Sequence, residues 1–162
     1  MGRIDHRPLL PDRLRPPDVW GGPGWSARPL RLSDAEADYE AVMASADRLK
    51  GCLDPDDPWP EGLTLCENRV DLGWHEREFT SGRSYTWTVV QGDRVVGAAY
   101  LCPSDRAGFQ AMAFWWVRTG HEGLEAPLGA AFRDLIGALP VTCAFPGRDQ
   151  DWGDWRGRPA RG

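Results

Sequence analysis

Long apolar runs are missing from this sequence. No window approaches the ~18 consecutive apolar residues of a membrane-spanning helix, and the first residues are broken by Arg and Pro where a signal peptide carries an apolar stretch. Neither a membrane span nor an export signal is expected, so the expected location is cytoplasmic. Lysine is nearly absent: Lys50 stands alone beside eighteen arginines, a bias that a GC-rich genome accounts for, and the formal net charge is -5. A net acidic chain lacks the electrostatic footprint of a nucleic-acid binder. Cysteine is sparse as well. Cys52, Cys66, Cys102 and Cys143 are too far apart for a C-x-x-C metal or redox pair, and they are expected to act as small buried hydrophobes. Leu, Ile, Val and Phe supply only 31 of 162 residues, just under the ~20% floor below which strongly charged chains stay disordered. The low net charge and nine tryptophans tip the balance towards folding, since each buried indole removes a large apolar area from water. A chain of this length is expected to form one domain.

Residues 1–26 hold five of the fourteen prolines, several glycines and no apolar period, and read as an extended arm that Trp20 and Trp25 pin to the body. Residues 149–162 read as a flexible tail, leaving 27–148 as the folded domain. Residues 28–32 alternate weakly as a strand. Ser33 and Glu36 have capping-box spacing, and Ala35, Tyr39, Val42, Ala46, Leu49 and Leu53 follow on one helical stripe. Three prolines exclude a helix over residues 54–63, an acidic loop with Asp54, Asp56, Asp57, Trp59 and Glu61. Thr64 and Glu67 cap a second helix carrying Leu65, Leu72 and Phe79 inward. From residue 84 the period becomes two. Tyr85, Trp87 and Val89 fall on one face, Gly92-Asp93 turns the chain, and residues 94–101 and 110–118 return as strands. Leu124, Leu128, Ala131, Leu135 and Leu139 mark a third helix, and residues 141–145 a last strand. The expected class is α+β, a three-layer α/β/α arrangement around a mainly antiparallel sheet in the order β-α-α-β-β-β-α-β.

That order resembles the GNAT superfamily of acyl-CoA-dependent N-acetyltransferases. Over roughly residues 9–148 the wording is also similar to a group of actinobacterial GNAT-like proteins. It is carried here by Asp71-Leu72 with His75 and Glu78-Phe79, Tyr85-Thr86-Trp87-Thr88-Val89, Val96-Gly97 with Tyr100, Pro103-Ser104, Trp116-Val117-Arg118, Leu124-Glu125-Ala126-Pro127-Leu128 and Pro146-Gly147-Arg148. The resemblance implies acetyl-CoA as co-substrate, with pantetheine in a notch where strand 110–118 parts from strand 141–145. It implies cofactor contacts along Trp116, Val117, Arg118, Thr119, Gly120 and Gly123. The expected acceptor is a small amine held near the acidic loop by Asp56, Asp57, Trp59 and Tyr100, where carboxylates around an aromatic suit a cation.

The chain departs from the family at two points. The diphosphate loop, Arg/Gln-x-x-Gly-x-Gly/Ala in the family, reads Arg118-Thr119-Gly120-His121-Glu122-Gly123, and Glu122 and Glu125 place carboxylates at the helix start meant for an anion. Arg118 is expected either to meet phosphate or to neutralise Glu122. No tyrosine follows the last strand to protonate a leaving thiolate, so the plan reads as shortened at its C-terminal end. His75 and Glu78 are the substitutes for proton handling, although His75 falls on the core stripe, where a partly buried histidine bonded to backbone is the ordinary expectation. His75-Glu76-Arg77-Glu78-Phe79 begins like a zinc-protease motif but has Phe79 in place of the second histidine, so no metal is expected. Two readings stand. One is an acetyltransferase; the other is a non-catalytic ligand- or protein-binding module on the same fold. A homodimer through an exposed sheet edge fits either.

Overall fold

A computed structural model of the chain describes residues 7–162. The first elements are strands β1 (Trp20–Gly22) and β2 (Trp25–Pro29), a 3-10 turn (Leu32–Asp34), helix α1 (Ala35–Met43), the single turn α2 (Ala46–Leu49) and the long helix α3 (Leu65–Ser81). They lead into β3 (Tyr85–Gln91), β4 (Arg94–Pro103), β5 (Ala111–Val117), α4 (Glu125–Gly137), β6 (Cys143–Ala144) and α5 (Trp152–Gly157). The six strands make one sheet in chain order, antiparallel except for the parallel β5–β6 pair.

The period of two decides what each face packs against. Tyr85, Trp87, Val89, Ala99, Leu101, Ala113 and Trp115 turn to one side and bury Leu128, Phe132 and Ile136 of α4. Ala98 and Trp116 turn to the other side, with Ala41, Val42 and Leu49 of α1 and α2. Helices thus cover both faces of a mainly antiparallel sheet, the α+β arrangement expected from the pattern. Gly97 lies opposite Val117 in the β4–β5 pair, and a Cβ there would strike the Trp116 carbonyl. Trp115 and Trp116 are both buried, on opposite faces.

Helix α3 begins as its sequence requires. The Thr64 hydroxyl accepts from the Glu67 amide at 3.2 Å and the Glu67 carboxylate accepts from the Thr64 amide at 2.8 Å. It ends at Gly82, whose φ of +72° is the left-handed conformation that closes a helix. The start of α1 differs from expectation. Asp34, rather than Ser33 with Glu36, caps the turn by accepting from the Arg31 amide at 2.9 Å, and it is held there by Arg28. Glu36 instead pairs with Arg69 across to α3. The apolar stripe of this region survives as two helices: Ala35, Val42 and Leu49 are buried, but the chain breaks between Met43 and Ala46.

Three further expectations are corrected. The proposed arm is in part sheet: β1 pairs with β2, and Trp20 stacks on Phe132 with centroids 5.3 Å apart; residues 1–6 of that arm lie outside the described residues. The proposed tail contains α5, capped by Asp151, with Trp155 buried against Phe109. Cys52 and Cys66 are exposed rather than buried, and all four cysteines are free. Among the described residues, no helix is long and apolar enough to cross a membrane.

Candidate functional site

The sheet opens near its last strand. Strands β5 and β6 share only the pairs Ala111↔Cys143 and Met112↔Ala144. Strand β6 then stops, and the chain turns away at Phe145, whose amide donates to Gln150 Oε1 at 2.6 Å. The remaining length of β5, Ala113 to Val117, faces a wedge. A cavity of about 250 Å³ lies in it, lined by Cys52, Phe114, Trp115, Pro146, Gly147 and Arg148. Two arginines reach the carbonyls on this open side of β5: Arg148 donates to Trp115 O at 3.1 Å and Arg48 to Val117 O at 3.0 Å. Arg148 lies 3.5 Å from the Trp115 ring centroid and pairs with Glu125 at 2.6 Å, which also accepts from Trp115 Nε1 at 2.9 Å.

A larger cavity, about 720 Å³, lies between α1, α3 and strands β3 to β5. Phe114 lines both spaces, so the wedge and the cavity adjoin. Alternation along β5 brings this about: Met112 and Phe114 face the cavity, while Ala113 and Trp115 face α4. Helix α3 supplies Asn68, Asp71, Leu72, His75 and Glu78, three or four residues apart and therefore on one face. Asp57 and Trp59 come from the acidic loop, whose end is held to α1 by the Tyr39 hydroxyl donating to Leu63 O at 3.1 Å.

Of the residues expected in proton handling, both line the cavity. His75 Nδ1 lies 3.0 Å from Thr86 Oγ1, a side-chain rather than a backbone partner. Burial holds its pKa down at about 4, so the ring is neutral. Glu78 is fully engaged: its two oxygens accept from Arg83 at 2.9 and 3.0 Å, and that guanidinium holds its pKa below the ordinary carboxylate value. Asp57, Trp59 and Tyr100 line the cavity too, whereas Asp56 turns outward to Arg156 at 3.0 Å. Tyr100 Oη accepts from Trp116 Nε1 at 2.9 Å, and burial pushes its pKa up, keeping the phenol neutral.

The sequence reading missed Asp38. This carboxylate is 4% exposed, lines the cavity, and accepts from Asn68 Nδ2 at 3.0 Å. Burial is the main cause that pushes its pKa up to about 6. Its position was a signal: an acidic residue lying between Ala35 and Val42 on an otherwise apolar helical stripe.

The loop after β5 is arranged differently from expectation. Arg118 does not meet Glu122; its buried guanidinium makes a two-pronged pair with Glu40 of α1 at 2.5 and 2.6 Å. Glu122 lies 3.8 Å from Arg48, and backbone amides at Gly120 and Glu122 hold its pKa down. The Thr119 amide donates to Ser45 Oγ at 2.9 Å. Gly120 takes a φ of +88°, and a Cβ on Gly123 would meet open space. Trp116 faces α1 and Tyr100 rather than the wedge, and Val117 is buried. Among the described residues, no group of three His, Cys, Asp or Glu is placed to hold a metal ion.

No protein-family model matches the sequence, and no curated protein does. Solved structures do. The chain is similar to RimL, a ribosomal-protein α-N-acetyltransferase in complex with coenzyme A, with a TM-score of 0.60 and 15% identity over 72% of this chain and 63% of that one. It is similar to Mycobacterium smegmatis RimJ in complex with a CoA disulfide, with a TM-score of 0.59 and 19% identity over 82% of this chain and 65% of that one. It is also similar to the microcin self-immunity acetyltransferase MccE in complex with acetyl-CoA and AMP, with a TM-score of 0.61 and 12% identity over 76% and 68% of the two chains. The chain thus spans less than two thirds of the RimL structure, and at these identities the likeness is one of fold.

Proposed function

We propose that this chain, which carries the GNAT acetyltransferase fold, transfers an acetyl group from acetyl-CoA to a small amine. The observation that carries the reading is the short β5–β6 ladder: two residue pairs, then a wedge that adjoins a large cavity through Phe114. Bound there, acetyl-CoA supplies an activated acyl group at a thioester. The wedge suits an extended arm running beside β5, which takes over the positions where Arg48 and Arg148 now meet the Val117 and Trp115 carbonyls. The helix start is a poorer fit for a diphosphate, since Glu122 already takes the amides an anion would use.

The cavity residues supply the proton chemistry. An amine attacks only as the neutral base, so a group must accept its proton. Asp38 is the group suited to that task, a buried carboxylate whose pKa of about 6 lies near neutrality. Neutral His75 is the second proton-handling group, its Nε2 an acceptor when Nδ1 donates to Thr86. Glu78 acts through Arg83, fixing the end of α3 rather than taking a proton. Tyr100 keeps its phenolic proton and lies beside Phe114 in the sheet register, as a donor to the leaving sulfur requires.

Acetyl-CoA titrated into the purified chain is expected to raise the melting temperature, because a ligand that binds the native state stabilises it. Thiol release is expected with at least one member of a small-amine panel. Absence of both effects overturns the reading. Asp38→Asn is expected to lower turnover by about 10²- to 10⁴-fold, the usual range for a lost general base, with little change in acetyl-CoA affinity.

A further inference from the structure

Among the described residues, the carboxylates that line the cavity outnumber the cations that line it. Asp38, Asp57, Asp71 and Glu78 line it, and the lining contributes one permanent cation, Arg83. Glu78 takes both prongs of that guanidinium. His75 is kept neutral by burial, and Arg156 is spent on Asp54 and Asp56 outside the cavity. Asp38 has Asn68 as a neutral partner and faces Asp34 and Asp71 electrostatically; burial pushes both Asp38 and Asp71 up. The wall around these carboxylates is apolar: Leu30, Leu72, Met112 and Phe114, with Trp59 and Trp74 from the loop and α3. Trp74 is 48% exposed, a large indole left partly in water at this site.

We propose that the cavity selects a monocationic amine on an apolar body of aromatic size, with the ammonium at Asp38 and Asp71 and the body against Trp59, Trp74, Met112 and Phe114. A cavity of about 720 Å³ is of the size that encloses a small organic ligand. A ligand ammonium supplies the missing cation, and indole and phenyl faces receive both an apolar ring and the edge of the positive charge. A polyamine fits poorly: Asp57, the remaining carboxylate of the lining, lies exposed on the loop and already accepts from the Trp59 amide at 2.9 Å, and the rest of the wall, Leu30, Leu72, Met112 and Phe114, gives a second buried ammonium no partner. The proposal rests on reading this cavity as the acceptor side of the transfer, yet binding of the amine needs no acetyl-CoA and is measured without it.

Calorimetric titration of the full chain with 2-phenylethylamine, 2-phenylethanol, spermidine and a serine-headed tripeptide tests it. Phenylethylamine is expected to bind at least tenfold more tightly than each of the others. Asp38→Asn, which keeps an amide to pair with Asn68, is expected to lose at least tenfold of that affinity. Trp74→Ala, at the exposed rim where folding is not at stake, is expected to weaken phenylethylamine by more than threefold and spermidine hardly at all. Equal binding of the alcohol and the amine overturns the proposal, as does tighter binding of spermidine or the tripeptide, or no amine binding. Thiol release from acetyl-CoA is read separately. Phenylethylamine that binds but is never acetylated keeps the ligand class and removes the transferase reading. Acetylation of spermidine or the tripeptide with phenylethylamine idle removes the ligand class and keeps the transferase.

Discussion

Lowering the pH from 7 to 5 acts on Asp38 and His75 in opposite senses. Asp38 is raised in the fold to about 6 from an ordinary 3.8, so the native state binds its proton first, and acid relieves a buried charge. His75 is lowered to about 4 from 6.5, so the unfolded chain binds its proton first, and its stabilising contribution is lost as pH falls below 6.5. Each effect amounts to about 1–2 kcal/mol between pH 7 and 5, and the two nearly cancel. Asp38→Asn is expected to gain stability over the parent at pH 7 and to lose about half of that gain by pH 5. His75→Gln is expected to improve relative to the parent as pH falls. Urea unfolding at both pH values checks the pair, and parallel pH dependence in the parent and both variants refutes it. Neither residue was hidden in the sequence. His75 stands out by its chemistry, whereas Asp38 does not, because acidic residues near a helix start are common and ordinarily solvated.

At the scale of elements, two segments of α4 and its leading loop carry opposite constraints. Gly129 is the point where α4 meets the sheet, and a Cβ there would lie 2.7 Å from Trp115 Cζ2. Gly129→Ala gains up to about 1 kcal/mol of helix propensity, but overpacking a close-packed contact costs about 1–3 kcal/mol. The expected outcome is a lower urea midpoint. The loop before α4 is tuned against an anion. Glu122→Gln removes the carboxylate from the amides at Gly120 and Glu122 and is expected to tighten CoA binding about two- to fivefold, the equivalent of ~0.3–1 kcal/mol at a helix start. Unchanged or weaker binding in a thermal-shift titration refutes that role. The long strands and α3 were legible because period and caps reinforced one another. Strand β1 and helix α5 were not: three and six residues are too short to show a period, and much of what holds them, Trp20 on Phe132, Trp155 on Phe109 and Arg156 on Asp54, is remote in the chain.

At the scale of the whole molecule, one pair ties the helical layer to the end of β5. Arg118 is 4% exposed and its guanidinium reaches Glu40, 78 residues earlier. Glu40→Ala leaves a buried cation with the Val95 carbonyl at 3.4 Å. A loss of about 1–2 kcal/mol is expected, moderated because Glu40 itself is largely in water. The same variant is expected to leave the two-pair β5–β6 ladder unaltered, so hydrogen exchange at Ala111 and Ala144 should match the parent. Arg118 looked like a phosphate or Glu122 partner because those groups are near in sequence. Its actual partner is near only after α1 packs across the sheet.

The amino-acid sequence alone determined the alternation that splits Trp115 from Trp116, the Thr64–Glu67 cap, the turn at Gly92-Asp93 and the α+β order, because each rests on contacts between near neighbours in the chain. Tertiary structure decided the rest. Where β6 stops, which carboxylates meet in one cavity, and which arginines are already spent all depend on residues dozens of positions apart, and burial is the main cause that shifts the proton affinities of Asp38 and His75.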